Sequence, residues 1–104
     1  VTTLRVRPDT IALAPEHAGV IWTLRVQSAE AWDAVRVDVV PDTSVRDVKQ
    51  AALATLMPDV DDVDAFVIKL RGAEIHDESL SVRGAGAIDG STLLIMSRRR
   101  RPVR

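Results

Sequence analysis

Two histidines, four closely spaced aspartates, three glycines in one short stretch and a string of arginines are the residues of this 104-residue chain whose types and spacing could do chemistry. Asp59, Asp61, Asp62 and Asp64 have the rhythm of the first ligands of a calcium loop. Such a loop needs glycine at its sixth position for a sharp turn and a carboxylate at its twelfth for bidentate ligation. Those positions hold Asp64 and Leu70, so a solvated acidic linker is expected instead. Gly84, Gly86 and Gly90 fall one residue outside a dinucleotide fingerprint, and the segment leads into a strand-like run, not into a helix whose N-terminus could hold a pyrophosphate. His17 and His76 have no second ligand at metal spacing, and neither has the serine and aspartate context of a nucleophilic triad. The chain has no cysteine, which removes disulfides, thiolate zinc sites and cysteine catalysis together. No enzyme activity, metal or cofactor is expected from these residues.

What remains is the sequence Arg98-Arg99-Arg100-Arg101-Pro102-Val103-Arg104. It carries five of the fourteen basic residues and no acid, leaving nine basic against fifteen acidic residues in positions 1 to 97, a charge of -6. An acidic body thus carries a basic tail. Arginine runs bind nucleic acid by neutralising phosphates and releasing counterions. The acidic body and the absence of aromatics interleaved with the run argue against that reading here. A solvated tail, or one that aids docking on an acidic protein surface, is expected before nucleic acid or anionic lipid.

The elements that must position these residues are written in the periodicity. Trp22, Leu24 and Val26 alternate within residues 20 to 26, and Val35, Val37 and Val39 alternate with Arg36 and Asp38 within residues 34 to 40, so two strands are expected. The seven residues between them contain no Asn-Gly or Asp-Gly, which predicts a broad or bulged hairpin. Ser44-Val45-Arg46-Asp47 has capping-box spacing, and Val45, Val48, Ala52 and Leu56 follow at helical intervals with Leu53 beside them. Arg46, Lys49 and Gln50 are assigned to the outer face of this helix, and Met57-Pro58 ends it. Phe66, Ile68 and Leu70 mark a third strand with a turn at Gly72. Ile75 and Leu80 are expected as inward anchors of a short strand and turn, and Asp89-Gly90 leads into a last strand with Leu93 and Ile95 inward. One domain and one largely aliphatic core fit this length and composition.

Strand, strand, helix, strand, short strand and long strand is the order of the β-grasp fold. The chain resembles ubiquitin over residues 19 to 97: in Val35-Arg-Val-Asp-Val-Val-Pro-Asp-Thr-Ser-Val-Arg-Asp-Val-Lys49, in the Leu70-Arg71-Gly72 turn with Ile75 and Asp77, and in Gly86-Ala-Ile-Asp-Gly-Ser-Thr-Leu93. The resemblance implies an α+β fold, a mixed sheet of four to five strands packed on one helix. Residues 1-18 lie outside it as an N-terminal extension, and residues 98-104 as the basic C-terminal tail. Ubiquitin and related sulfur carriers act through a C-terminal Gly-Gly that threads into an activating enzyme, and no glycine follows Gly90 here. The resemblance therefore implies a non-conjugated module for protein–protein interaction, with an atypical modifier or sulfur carrier as the alternative. In kind, the chain is most similar to the small bacterial YukD-like proteins of type VII secretion clusters, which also lack Gly-Gly. That implies an adaptor accessory to a secretion or assembly machine.

The docking surface follows from strand alternation. If Ile68, Leu70, Leu93 and Ile95 face the helix, then Val67, Lys69, Arg71, Leu94 and Met96 face away from it. Ubiquitin docks its receptors on the equivalent face around an exposed isoleucine, whose place is taken by Lys69. A different partner, with an acidic surface, is expected to bind Val67, Lys69, Arg71, Leu94, Met96, Arg98, Arg99, Arg100 and Arg101. No apolar run approaches the roughly 20 residues of a membrane span, and a cytoplasmic protein is expected.

Overall fold

The computed structural model describes residues 5, 6, 10 to 15 and 17 to 98. In chain order the elements are β1 (Arg5–Val6), β2 (Ile11–Ala12), β3 (Trp22–Ser28), β4 (Asp33–Val39), α1 (Val45–Leu56), a 3-10 turn (Val63–Ala65), β5 (Phe66–Leu70), β6 (Ala73–Glu74) and β7 (Thr92–Ser97). The two alternating runs pair as an antiparallel hairpin, Trp22 opposite Val39 and Ser28 opposite Asp33. Only residues 29 to 32 are left as the loop, tighter than the expected seven-residue connection. Ser28 closes it. Its hydroxyl accepts the Ala31 N–H at 3.1 Å and its carbonyl the Trp32 N–H at 3.1 Å, while Trp32 turns the chain at a φ of 51°.

The sheet is mixed, in the order β1-β4-β3-β7-β5-β6, with β2 also on β4. β3 and β7 run parallel at its centre, which requires a crossover, and α1 is that crossover. Ser44 caps α1 through its side chain, which accepts the Asp47 N–H at 3.1 Å. Past the helix, the Met57 N–H returns to the Leu53 carbonyl at 2.8 Å. Val45, Val48, Ala52, Leu53 and Leu56 are buried in one core with Leu24, Val37, Ile68, Leu93 and Ile95. Each such Val or Leu removed from water contributes about 1.5–3 kcal/mol, so this interface holds the fold.

Three expectations change. Among the described residues the sheet has seven strands, not four to five, because residues 5 and 6 and residues 11 and 12 pair in parallel with the outer edge of β4, Arg5 beside Asp33 and Ile11 beside Val37. Two-residue strands are too short to show alternation. Lys49 is not on the outer face of α1: its side chain is fully buried, and its ammonium donates to the Phe66 carbonyl at 2.9 Å and to Glu78 Oε2 at 2.7 Å. The Leu80 side chain is 39% exposed and is not an inward anchor; its backbone carbonyl accepts the Val45 N–H at 2.9 Å. Val82 fills that part of the core, held by its N–H on the Thr43 carbonyl at 2.8 Å.

Candidate protein-docking face

Because Leu24, Val26, Val35, Val37, Ile68, Leu93 and Ile95 point into the core, their strand neighbours point to the opposite face, which α1 does not cover. The register sets Val67 beside Met96, Lys69 beside Leu94, Leu94 beside Gln27, and Lys69 beside Glu74. Leu94 and Met96 are half-buried, whereas Val67 is only 6% exposed. Val67 therefore forms the floor of the face and offers a partner little apolar area as it stands. Around it a shallow recess of about 350 Å³ is lined by Val67, Lys69, Glu74, Met96, Ser97 and Arg98.

The charges at this recess are unequal. Glu74 is shared between Arg98 Nη1 at 3.8 Å and His76 Nδ1 at 3.4 Å. Arg98 is also clamped to the body, with its backbone N–H on the Ala65 carbonyl at 2.7 Å and its Nε on the Asp64 carbonyl at 3.1 Å. The Lys69 ammonium has no ion-pair or hydrogen-bond partner among the described residues. One unpaired cation beside two half-buried apolar side chains suits an acidic, partly apolar surface.

Not every residue expected on this face is there. Arg71 has a φ of 54°, which breaks the strand alternation, and its Nη2 donates to the Gly86 carbonyl at 2.9 Å. It lines a separate recess of about 460 Å³ with Leu70, Ala73, Ile75 and Leu80 among others. Arg99, Arg100 and Arg101 lie outside the described residues. Sequence reasoning missed Arg25 and Arg36 as surface candidates, although the alternation that sent Leu24, Val26, Val35 and Val37 inward also places these two outward. It also missed Trp32, 75% exposed at the hairpin loop.

Two of the four aspartates of the acidic linker have local structural work. The side chain of Asp62 accepts the Asp64 N–H at 3.0 Å to start the 3-10 turn, and Asp64 pairs with Arg46 Nη1 at 2.8 Å. That hydrogen bond, reinforced by the opposite charge, holds the Asp64 carboxyl below its ordinary range and raises Arg46. The Asp77 carboxyl is likewise lowered, by the Ser79 hydroxyl first and its N–H second. Among the described residues no group of three or more histidine or acidic side chains is placed to hold a metal. No helix of the described residues is long and apolar enough to cross a membrane.

No protein-family model matches the sequence, and no curated protein matches it. Solved structures do match by shape. The ubiquitin of Caldiarchaeum subterraneum superimposes with a TM-score of 0.65 at 16% identity, covering 78% of this chain and 98% of its own. The fold is the ubiquitin-like β-grasp. A ubiquitin-like protein of Trypanosoma brucei gives a TM-score of 0.62 at 18% identity, covering 79% of this chain and all of its own. The ubiquitin-like domain of an Arabidopsis thaliana protein gives 0.63 at 14%, covering 86% and 90%. At these identities the likeness fixes the α+β architecture, with a single helix on a mixed sheet, and carries no ligand or partner with it.

Proposed function

We propose that this ubiquitin-like chain is a non-conjugated, non-enzymatic module that docks a protein partner of acidic surface on its open sheet face. The observation that carries the reading is the pairing of half-buried Leu94 and Met96 with the unpartnered ammonium of Lys69 on the sheet face away from α1. The resemblance to YukD-like proteins adds the setting: an adaptor accessory to a secretion or assembly machine in a bacterial cytoplasm, a reducing compartment that suits a cysteine-free chain.

The test is a crosslinked pull-down from the native host with the wild-type chain, Met96→Asp, and a variant with Arg98 to Arg101 changed to serine. A partner retained by wild type and lost with Met96→Asp supports the face. The same partner held equally by all three proteins rejects it. Incubation with a cognate activating enzyme and ATP separates the modifier alternative: an acyl-adenylate or thioester seen by mass spectrometry overturns the non-conjugated assignment.

A further inference from the structure

Arg25 of β3 and Arg36 of β4 stand directly opposite one another in the antiparallel ladder. Like charges in that position repel and weaken a sheet. No acid pairs with either of them among the described residues. Neither guanidinium has a hydrogen bond or an ion pair among the described residues, and the Nε of Arg25 is buried without a partner. The nearby acids are engaged elsewhere: Asp89 Oδ1 accepts the Thr23 N–H at 2.8 Å, and Asp38 Oδ1 accepts the Thr23 hydroxyl at 2.7 Å. Beside the pair lies a recess of about 350 Å³ lined by Thr23, Leu24, Arg25, Arg36, Asp89 and Gly90.

A buried, unpartnered N–H on a permanent cation is costly in the free protein and is relieved when an acceptor oxygen reaches it. The Nε and Nη edge of a guanidinium matches two carboxylate oxygens side by side, and a second guanidinium opposite adds charge and donors to the same anion. The lining carries two guanidiniums against the one carboxylate of Asp89, a net charge of +1. One monoanion neutralises that. We propose that Arg25 and Arg36 form a carboxylate-binding notch, which receives an aspartate or glutamate side chain from the acidic partner segment. Thr92, next to Arg25 in the β3–β7 register, and Leu94, next to Gln27, join the notch to the apolar part of the open face. A segment lying across the sheet reaches both. This assignment deepens the docking reading and rests on it for the identity of the occupant.

The probe is an acetyl-hexaglutamate-amide peptide titrated into the ¹⁵N-labelled full chain, with the Arg25 Nε–Hε signal followed by NMR. Sodium chloride at matched ionic strength and inorganic phosphate are parallel titrations. A saturable shift of that signal with the peptide, absent with chloride and weakened about tenfold or more in Arg36→Gln, is expected. Arg25→Gln and Arg36→Gln should melt no lower than wild type, since each removes a like-charge contact, so loss of binding is not loss of fold. A linear shift that chloride reproduces, or one unaltered by Arg36→Gln, overturns the notch. Phosphate that saturates more tightly than the peptide overturns the carboxylate in favour of a phosphate ligand. Met96→Asp, outside the notch lining, is scored on the native partner: undiminished binding there with an intact Arg25 response rejects the docking face and spares the notch.

Discussion

Glu78→Ala tests the least exposed charge in the fold. Lys49 has no exposed side-chain area, and Glu78, 14% exposed, supplies the one carboxylate within ion-pair reach of its ammonium at 2.7 Å among the described residues. Removing the carboxylate leaves the Phe66 carbonyl, at 2.9 Å, to hold a cation in the core. Breaking a buried pair from one side costs about 3–5 kcal/mol, a large share of the roughly 5–15 kcal/mol that stabilises a domain. At about 4–8 °C per kcal/mol for a domain near this size, the melting temperature should fall by at least about 12 °C. Lys49→Met removes the cation and keeps an unbranched chain in the same space. Glu78 then retains Arg46 at 3.5 Å and its contact with solvent. That single change should be near neutral or stabilising, because apolar replacement of a buried charge avoids its desolvation. The decisive measurement is the double-mutant cycle, followed by circular dichroism melts and urea unfolding. Glu78→Ala should cost far less in the Lys49→Met background than in wild type. Equal costs in the two backgrounds, or a Glu78→Ala melt within about 3 °C of wild type, would refute an uncompensated buried ammonium as the mechanism.

Val48→Asp places an unpaired carboxylate in the core beneath the sheet and should cost several kcal/mol, enough to abolish the cooperative thermal transition; an unchanged melt defeats the packing of α1 described above. Asp64 has a folded-state carboxyl lowered below its ordinary value, so its contribution is present above the ordinary carboxylate range and is lost as acidification passes down through the folded value. Asp64→Asn should therefore flatten the acid limb of the melting profile, most visibly at low salt since the pair with Arg46 is exposed; an identical acid limb would discount that pair. Changing Arg98 to Arg101 to serine should lower the association rate with the native partner and its salt sensitivity, whereas Met96→Asp should raise the dissociation rate at every salt concentration, both read by surface plasmon resonance.

Much of this fold was legible because its long strands alternate and its helix is punctuated. The hairpin, the Ser44 cap, the stop before Pro58 and the inward set from Leu24 to Ile95 all follow from local pattern. Lys49 was assigned to the outer face together with Arg46 and Gln50. Its spacing told otherwise, for it lies four residues after Val45 and three before Ala52, inside the apolar stripe. Arg71 left the sheet face because alternation does not survive a left-handed residue at a turn, and the glycine in Leu70-Arg71-Gly72 marks a positive φ at Gly72 without showing that Arg71 takes one as well. The notch at Arg25 and Arg36 needs the register of two strands, a non-local quantity that neither strand contains. The open face was visible as a set of residues, but the burial of Val67 was not, since it depends on the neighbours that crowd it.

The two ends of the sheet favour the proposed face over an edge as the place for a partner. An unpaired edge strand offers a row of N–H and C=O groups to any extended peptide, and proteins protect such edges by covering or shortening them. Here the outer edge of β4 is taken by β1 and β2, and the opposite edge is β6, only two residues long. A partner that added a strand would have to displace the first or make do with the second. The face asks for neither. It presents Leu94 and Met96 with Lys69 to one side and the paired arginines of β3 and β4 to the other, so apolar contact and charge selection fall within a single docking area. On the proposed reading, a sequence that shields its edges leaves recognition to the side chains between them, where specificity is set by residue type and not by backbone alone.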